Sequence, residues 1–199
     1  MLPEFVSELE ETVIVQEIDK INWVESQSGR RKQDFGPKVN FKRKKIKLDT
    51  FKGFPEHSKA LLNRMKSTDI LSDFQPVEMC NLEYEPSKGS AIDPHFDDFW
   101  LWGERLVTIN LLSETCYTLT QSNSNREIII SLPARSLIVL YGDARHVWMH
   151  SIARSHITTR RIGITIRELT AEFMEGGQSY DIGRQLLEKA ALTLPAAAT

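Results

Sequence analysis

The chain has little cysteine and no long apolar run, and each of these features excludes some classes of protein. Its 199 residues include two cysteines, Cys80 and Cys116, which argues against a disulfide-rich secreted scaffold or a cysteine-based zinc finger. The longest apolar runs, such as residues 137–141, are far shorter than the roughly 20 residues that span a bilayer. The segment from Met1 lacks the pattern of a signal peptide. We therefore expect an intracellular protein without a membrane partner.

A large net charge is also absent, but the charge is unevenly placed. The net charge is −2, whereas residues 30–47 hold nine basic residues and one acid, a local +8, so the remainder carries −10. The segment could bind nucleic-acid phosphates or an acidic protein surface, or its lysines could protect a solvated strand edge. The candidate substrate or partner surface consists of Arg30, Arg31, Lys32, Lys38, Lys42, Arg43, Lys44 and Lys45.

Helical patterns lie near both ends of the chain. Ser7 and Glu10 have the spacing of a capping box, and apolar residues at helical spacing follow, which predicts a helix over residues 8–21. Residues 55–66 predict a second helix, and residues 180–192 predict a third. Glycines and a proline in the basic segment favour irregular strands or a loop there.

From Val77 onward the apolar period changes to two, which is typical of strands. The segments VEMCNLEYEP, LVTINLL, REIIISLP, RSLIVLYG and RIGITIREL predict five strands. Many short strands after a helical part predict a mainly β (α+β) fold, a double-stranded β-helix or jelly roll with supporting helices. We expect one domain, with a helical and basic part (1–70), a jelly-roll core (71–175) and a C-terminal helix and tail (176–199).

One short stretch carries candidate metal ligands. His95 and Asp97 lie on the same face of an extended strand, and Phe96 points the other way. Two histidines and one carboxylate hold non-haem Fe(II) and leave the remaining positions open. His146 and His150 share a strand face further along, so either can supply the second imidazole.

A second stretch carries candidate anion ligands. Arg161, Gly163, Thr165 and Arg167 occupy one face of a predicted strand, and three isoleucines occupy the other. Inward guanidinium groups are costly to bury unless anions meet them. They can pair with core carboxylates or hold a dicarboxylate ligand at each end. The neighbouring Arg160 is expected to be a surface charge.

Together these motifs resemble those of AlkB-family Fe(II)/2-oxoglutarate dioxygenases, in which His-x-Asp, a distal His and Arg-x-Asn-x-Thr-x-Arg follow in this order. The segments SQSGRRKQDFGPKVNF, CNLEYEP, GSAIDPH, WLWGERLV and LPARSL resemble the fourth animal homologue in particular. The resemblance implies that His95, Asp97 and His150 bind the catalytic iron, and its spacing favours His150 over His146.

The resemblance also implies a site for 2-oxoglutarate. Arg161 is expected to bind its distal carboxylate and Arg167 the carboxylate next to the keto group, and Thr165 belongs to the same motif. Tyr84 matches the tyrosine of the family's Asn-x-Tyr pair. This chain departs from the family at two positions, because Leu82 and Gly163 stand where the family has asparagines.

The implied activity is oxidative N-demethylation, which consumes dioxygen and 2-oxoglutarate and releases succinate, carbon dioxide and formaldehyde. We favour a methylated lysine on a protein such as actin as the substrate, with N6-methyladenine in DNA as the alternative. Phe99 stands where base-repairing members often have a carboxylate, which weakens a base-repair assignment. A binding module with little turnover and a zinc hydrolase are the competing hypotheses. The resemblance places the protein in the cytoplasm and nucleus.

Overall fold

The computed structural model describes residues 1–122, 124 and 126–194, so the predicted tail at 195–199 lies outside the described residues. The described helices are α1 (Glu8–Asp19), α2 (Ser58–Met65), α3 (Asp143–His146) and α4 (Tyr180–Ala190). The described strands are β1 (Val24–Glu25), β2 (Arg31–Phe35), β3 (Lys38–Asn40), β4 (Lys45–Lys47), β5 (Phe54–Pro55), β6 (Pro76–Tyr84), β7 (Ile92–His95), β8 (Trp102–Leu111), β9 (Thr115–Gln121), β10 (Glu127–Leu132), β11 (Leu137–Leu140), β12 (Trp148–Ile152), β13 (Arg161–Leu169) and β14 (Thr193–Leu194).

Two sheets contain most of the strands. One has the order β1-β2-β6-β13-β8-β11, and the other has the order β10-β9-β12-β7. Sequence neighbours are often not sheet neighbours, as in β6-β13-β8, so chain segments far apart in sequence are hydrogen-bonded. Mostly short strands with few helices form the predicted jelly roll.

The strand and helix predictions agree with the structure for the strongly patterned segments. The five predicted strands are present as β6, β8, β10, β11 and β13. All three isoleucines of β13 are fully buried, which confirms the predicted alternation. The extended strands expected around His95 and His150 are present as β7 and β12. Strand β9 was not predicted, because polar residues interrupt the apolar alternation along it.

Helix α1 begins where its capping box predicts. The Glu10 backbone N–H donates to the Ser7 hydroxyl at 3.3 Å, and the Ser7 backbone N–H donates to the Glu10 carboxylate at 2.8 Å. These two bonds satisfy backbone donors that an isolated helix end leaves without partners. The helix ends at Asp19 rather than residue 21.

The chain forms two compact units, and neither is continuous in sequence. The first comprises Met1–Gln33, Asn81–Asp97 and Leu106–Thr165; the described part of the second comprises Asp34–Cys80, Asp98–Arg105 and residues 166–194. Buried apolar side chains of the first unit include Val6, Ile18, Ile109, Leu111, Leu132, Leu137, Ile162 and Ile164. Those of the second include Phe51, Leu61, Met65, Leu71, Met79, Leu101, Phe173 and Leu186.

Among the residues that the structure describes, no helix has the length and apolar character needed to cross a bilayer.

Candidate metal centre

The pairing of two strands brings His95 and His150 together. His95 ends β7, His150 lies within β12, and the antiparallel register places the two residues directly opposite each other. Directly opposed residues are the closest side-chain neighbours across a sheet, and the two imidazole centroids are 4.2 Å apart. The sheet register therefore joins two histidines that are distant in sequence.

Asp97 completes a group of three donors. Its Oδ1 atom lies 3.5 Å from Nε2 of His95. One donor atom from each of His95, Asp97 and His150 lies within 4.8 Å of the others. Two imidazoles and one carboxylate are the donor set of non-haem Fe(II) centres, in which the remaining positions stay open for other ligands. The three predicted ligands thus form a group whose chemistry fits Fe(II).

Neighbouring groups fix the orientation of both imidazoles. Nδ1 of His95 donates to the Asp93 carbonyl at 2.8 Å, which leaves Nε2 directed to Asp97. The ring of Tyr117 on β9 is stacked on His150, with centroids 5.6 Å apart and planes 13° from parallel. Such outer contacts hold metal ligands in the orientation that binding requires.

Helix α3 contributes a buried arginine that the sequence analysis missed. Arg145 is 2% exposed, and its Nη1 donates to the backbone carbonyl of Asp97 at 3.0 Å. The next residue, His146, is exposed on α3 and not on a strand. Among the described residues, the metal-binding group contains His150 and not His146.

Arg161 lies in the same compact unit as the three metal ligands. It is 1% exposed, and its Nε donates to Oδ1 of Asn110 at 2.6 Å. Its Cζ atom lies 4.6 Å from the ring centroid of Tyr84. Burial lowers the pKa of Arg161, but a guanidinium stays protonated in proteins. Within the described part of the chain, no carboxylate forms an ion pair with it.

Tyr84 and Tyr117 form the aromatic surroundings of Arg161. Tyr84 ends β6 and is 2% exposed. Burial, and next the proximity of Tyr84 and Asp97, raises the pKa of Tyr117, so its phenol is neutral at physiological pH. The guanidinium therefore faces aromatic rings, and no carboxylate of the described residues compensates its positive charge.

Arg167 has a different environment from Arg161. It lies in the second compact unit, where its Nη1 donates to the Glu78 carboxylate at 2.7 Å and its Cζ lies 5.7 Å from the Trp102 ring centroid. It thus has a carboxylate partner, one of the two alternatives open for these arginines. Thr165 lies half-buried on the same strand. The predicted contacts of Arg167 and Thr165 with 2-oxoglutarate stay predictions.

At the N-terminal end of the candidate basic surface, the structure differs from the prediction. Arg30 is 8% exposed, and its Nε donates to the Gln27 carbonyl at 3.0 Å. Arg31 donates to the buried Glu83 carboxylate. The expectation that Arg30 forms an open surface is therefore wrong, and Arg31 already has an anionic partner.

The Arg160 side chain is partly exposed, at 32%, but it is not the simple surface charge that was predicted. Its guanidinium contacts Asp19 at 2.5 Å and Glu83 at 2.9 Å. Arg160 therefore joins α1 to β6 within the first unit. The local sequence gives no indication of these partners, because Asp19 and Glu83 are far from residue 160 in the chain.

Comparison with known proteins identifies the family. Residues 10–167 match the 2OG-Fe(II) oxygenase superfamily. A DNA N6-methyl adenine demethylase of Caenorhabditis elegans is 46% identical over 202 residues, which cover 100% of this chain and 69% of the relative. The human alpha-ketoglutarate-dependent dioxygenase alkB homolog 4 is 44% identical over 217 residues, covering 94% of this chain and 72% of the relative.

Solved structures share the fold at low identity. The structure of OsALKBH1 has a TM-score of 0.63 and 12% identity, and the match covers 84% of this chain and 95% of that one. A Pseudomonas putida prolyl-4-hydroxylase has a TM-score of 0.55 and 13% identity, covering 82% and 88%. The family model and the curated relatives, together with the His95, Asp97 and His150 group, show that the chain belongs to the 2OG-Fe(II) oxygenase superfamily, as a demethylating AlkB-family dioxygenase that uses Fe(II) and 2-oxoglutarate.

Proposed function

We propose that the protein removes the N-methyl group of N6-methyladenine in DNA. The nematode relative, which is named for this activity, is similar to the chain over its whole length. A cationic hairpin on the second compact unit is suited to a phosphate backbone. The earlier preference for a methylated lysine on actin becomes the second candidate.

The basic hairpin, defined here as residues 38–47, supports a polyanionic substrate. It contains β3 and β4, has no acidic residue, and carries six exposed cations: Lys38, Lys42, Arg43, Lys44, Lys45 and Lys47. Lys38 and Lys47 are directly opposite each other across the two strands. Like charges in this position repel, and bound phosphates would relieve that repulsion while adding affinity.

The metal group defines what the protein contributes to the oxidation. His95, Asp97 and His150 would hold Fe(II) on one side, and the bound iron, with 2-oxoglutarate and dioxygen, supplies the oxidation of the methyl group that ends in succinate, carbon dioxide and formaldehyde. The Asp93 carbonyl and the Tyr117 ring keep the two imidazoles in place. The protein thus orients the reacting groups, whereas the oxidation belongs to the cofactors.

The burial of Arg161 without a carboxylate partner among the described residues is the main support for the co-substrate assignment. A buried guanidinium without a carboxylate partner is costly, and a bound carboxylate would compensate its charge by a bidentate interaction. We assign this role to the distal carboxylate of 2-oxoglutarate. A zinc hydrolase with the same three ligands would leave the buried Arg161 without a function.

Phe99, which is close to the metal ligands in sequence, favours methylated lysine on an acidic protein as the substrate. Phe99 occupies the position, two residues after Asp97, at which base-repairing members often carry a carboxylate, and it is 48% exposed. An aromatic face attracts a methylated ammonium group, although it also stacks on bases.

One experiment separates the two substrates. The purified protein with Fe(II), ascorbate and 2-oxoglutarate is incubated with DNA oligonucleotides containing N6-methyladenine and, separately, with acidic peptides containing methyl-lysine. Mass spectrometry of each substrate and a formaldehyde assay measure demethylation, and Asp97→Ala is the matched inactive control.

Loss of the methyl group from DNA, dependent on both Asp97 and 2-oxoglutarate, is the expected result. Demethylation confined to the peptide would replace the first candidate by the second. If neither substrate changes while 2-oxoglutarate is still converted to succinate, both substrate assignments are wrong.

A further inference from the structure

The side chain of Arg161 is held by a neutral group, whereas three other arginines of the two large sheets or their ends have carboxylate partners. Arg105, Arg160 and Arg167 each contact at least one carboxylate. Arg161 is the most buried of the four, at 1% exposure, yet its Nε donates to the amide oxygen of Asn110. An amide fixes the direction of a guanidinium without neutralising it, so the full charge remains for a ligand.

Asn110 is itself fixed by backbone groups. It is fully buried on β8, and its Nδ2 lies within 3.0 Å of the carbonyl oxygens of Ser113, Leu132 and Pro133. Carbonyl oxygens only accept hydrogen bonds, so this end of the amide must be its NH₂ group. The amide oxygen is therefore held towards Nε of Arg161, and a flipped amide would face three acceptors.

Gly163 leaves room for the other end of the guanidinium. A Cβ atom at this position would lie 3.0 Å from Nη2 and 3.2 Å from Nη1 of Arg161. Its backbone is not in the left-handed region, so the missing side chain, rather than backbone freedom, is the relevant property. Asn110 accepts the hydrogen bond from Nε, and Tyr84 also hydrogen-bonds the Arg161 side chain. The remaining N–H groups of Nη1 and Nη2 are the ones left for a planar, bidentate carboxylate contact.

We propose that Asn110 and Gly163 are positioning residues that preset Arg161 for the distal carboxylate of 2-oxoglutarate. This chain has Leu82 and Gly163 at the two positions where the family has asparagines. We therefore assign the positioning of Arg161 to Asn110 and to the space that Gly163 leaves. The inference rests on the role assigned to Arg161 under the proposed function. It predicts that both residues determine how strongly the site prefers a 2-oxo diacid over a 2-oxo monoacid.

The test measures binding in the absence of turnover. Protein loaded with Mn(II) under anaerobic conditions is titrated calorimetrically with 2-oxoglutarate and with 2-oxobutyrate, which lacks the distal carboxylate. Asn110→Ala should weaken 2-oxoglutarate binding roughly tenfold, as expected for a lost hydrogen bond to a charged group. It should leave 2-oxobutyrate binding unchanged. The selectivity ratio, defined as the dissociation constant for 2-oxobutyrate divided by that for 2-oxoglutarate, should therefore decrease by the same factor.

Gly163→Ala tests the same idea without removing a hydrogen-bonding group. Its methyl group should displace Nη1 and Nη2 and decrease the ratio several-fold. The double variant should be no more impaired than the weaker-binding single variant, because both changes act through Arg161. Should Asn110→Ala fail to fold, Gly163→Ala alone decides the result.

Asn81→Ala is the matched control. Asn81 is also a fully buried asparagine on a strand of the first unit, where it donates to Gln33 at 2.9 Å. The Asn81→Ala substitution should lower the melting temperature of the protein without changing the ratio of the two dissociation constants. A merely structural role for Asn110 would give the same behaviour, so an unchanged ratio in both Asn110→Ala and Gly163→Ala overturns the inference.

Arg161→Met separates this inference from the proposed function. It should abolish the preference for 2-oxoglutarate. If it does so while the Asn110 and Gly163 variants retain the wild-type ratio, the positioning role alone is wrong. If Arg161→Met itself retains the ratio, the assignment of Arg161 to the co-substrate is wrong.

Discussion

Two histidines four residues apart illustrate how function is decided at the scale of single residues. His146 and His150 have the same strand parity in the sequence, but His146 belongs to α3 and is exposed. His150 is 6% exposed and stacked against Tyr117. The backbone turns between them, so parity along the sequence does not imply a shared face.

His150→Ala should weaken Mn(II) binding strongly because it removes one of three ligands. Loss of an outer-shell partner alone costs about 10- to 100-fold in affinity, so loss of a ligand should cost more. Isothermal titration calorimetry measures the change, and His146→Ala is the control, with wild-type affinity expected. Impaired binding in His146→Ala and normal binding in His150→Ala would contradict the site.

Asp19 should make stability depend on pH. The hydrogen bond from Arg160 lowers the pKa of this carboxyl. Its contribution to stability is therefore complete above the ordinary aspartate pKa of about 3.9 and is lost as the pH falls through the lower value of the folded state.

The difference in unfolding free energy between wild type and Asp19→Asn should be largest near neutral pH and shrink below about pH 4. Urea denaturation at several pH values measures it, and Arg160→Met should reduce the same pH-dependent contribution. If the difference in unfolding free energy instead increases as the pH falls, the ion pair does not stabilise the folded state as proposed.

At the scale of elements, strand pairing assembles the metal centre. Strands β7 and β12 pair with His95 opposite His150, and the register shifts before Ile152 meets Ile92. A one-residue slip in a sheet turns every side chain to the other face. The metal centre therefore depends on this one register, which neither strand specifies alone.

Helix α1 offers a test of a single element. Ser7→Ala removes the side-chain acceptor of the capping box and should destabilise the protein by about 1 kcal/mol. Ser7→Asp retains an acceptor beside the positive end of the helix dipole and should preserve most of the stability. Urea denaturation distinguishes them. Equal stability of wild type and Ser7→Ala would mean that the cap contributes nothing.

At the scale of the whole molecule, net charge conceals a separation of charge. The chain carries −2 overall, whereas the basic hairpin carries six cations and no acid. Counterion release makes binding to DNA depend on such local clusters rather than on net charge. The overall balance therefore does not argue against a polyanionic substrate.

Neutralising Lys42, Arg43 and Lys45 to glutamine should weaken duplex DNA binding and lower its salt dependence. Each lost phosphate contact should reduce the slope of log affinity against log salt by about 1. Fluorescence anisotropy over a range of NaCl concentrations measures both. A triple variant of Lys52, Lys59 and Lys66 removes the same charge elsewhere in the second unit. Equal losses in the two variants would exclude the hairpin as the contact.

The local pattern of the sequence determined the capping box, the buried isoleucine face of β13 and the His-x-Asp pair, because these depend on neighbours two to four residues apart. Only the tertiary structure decided which groups meet across the fold. It buried Arg30, paired Arg160 with Asp19, and set Asn110 against Arg161. The reason is physical: whether a charge is compensated depends on partners that pairing of distant strands supplies, and the local pattern does not contain that pairing.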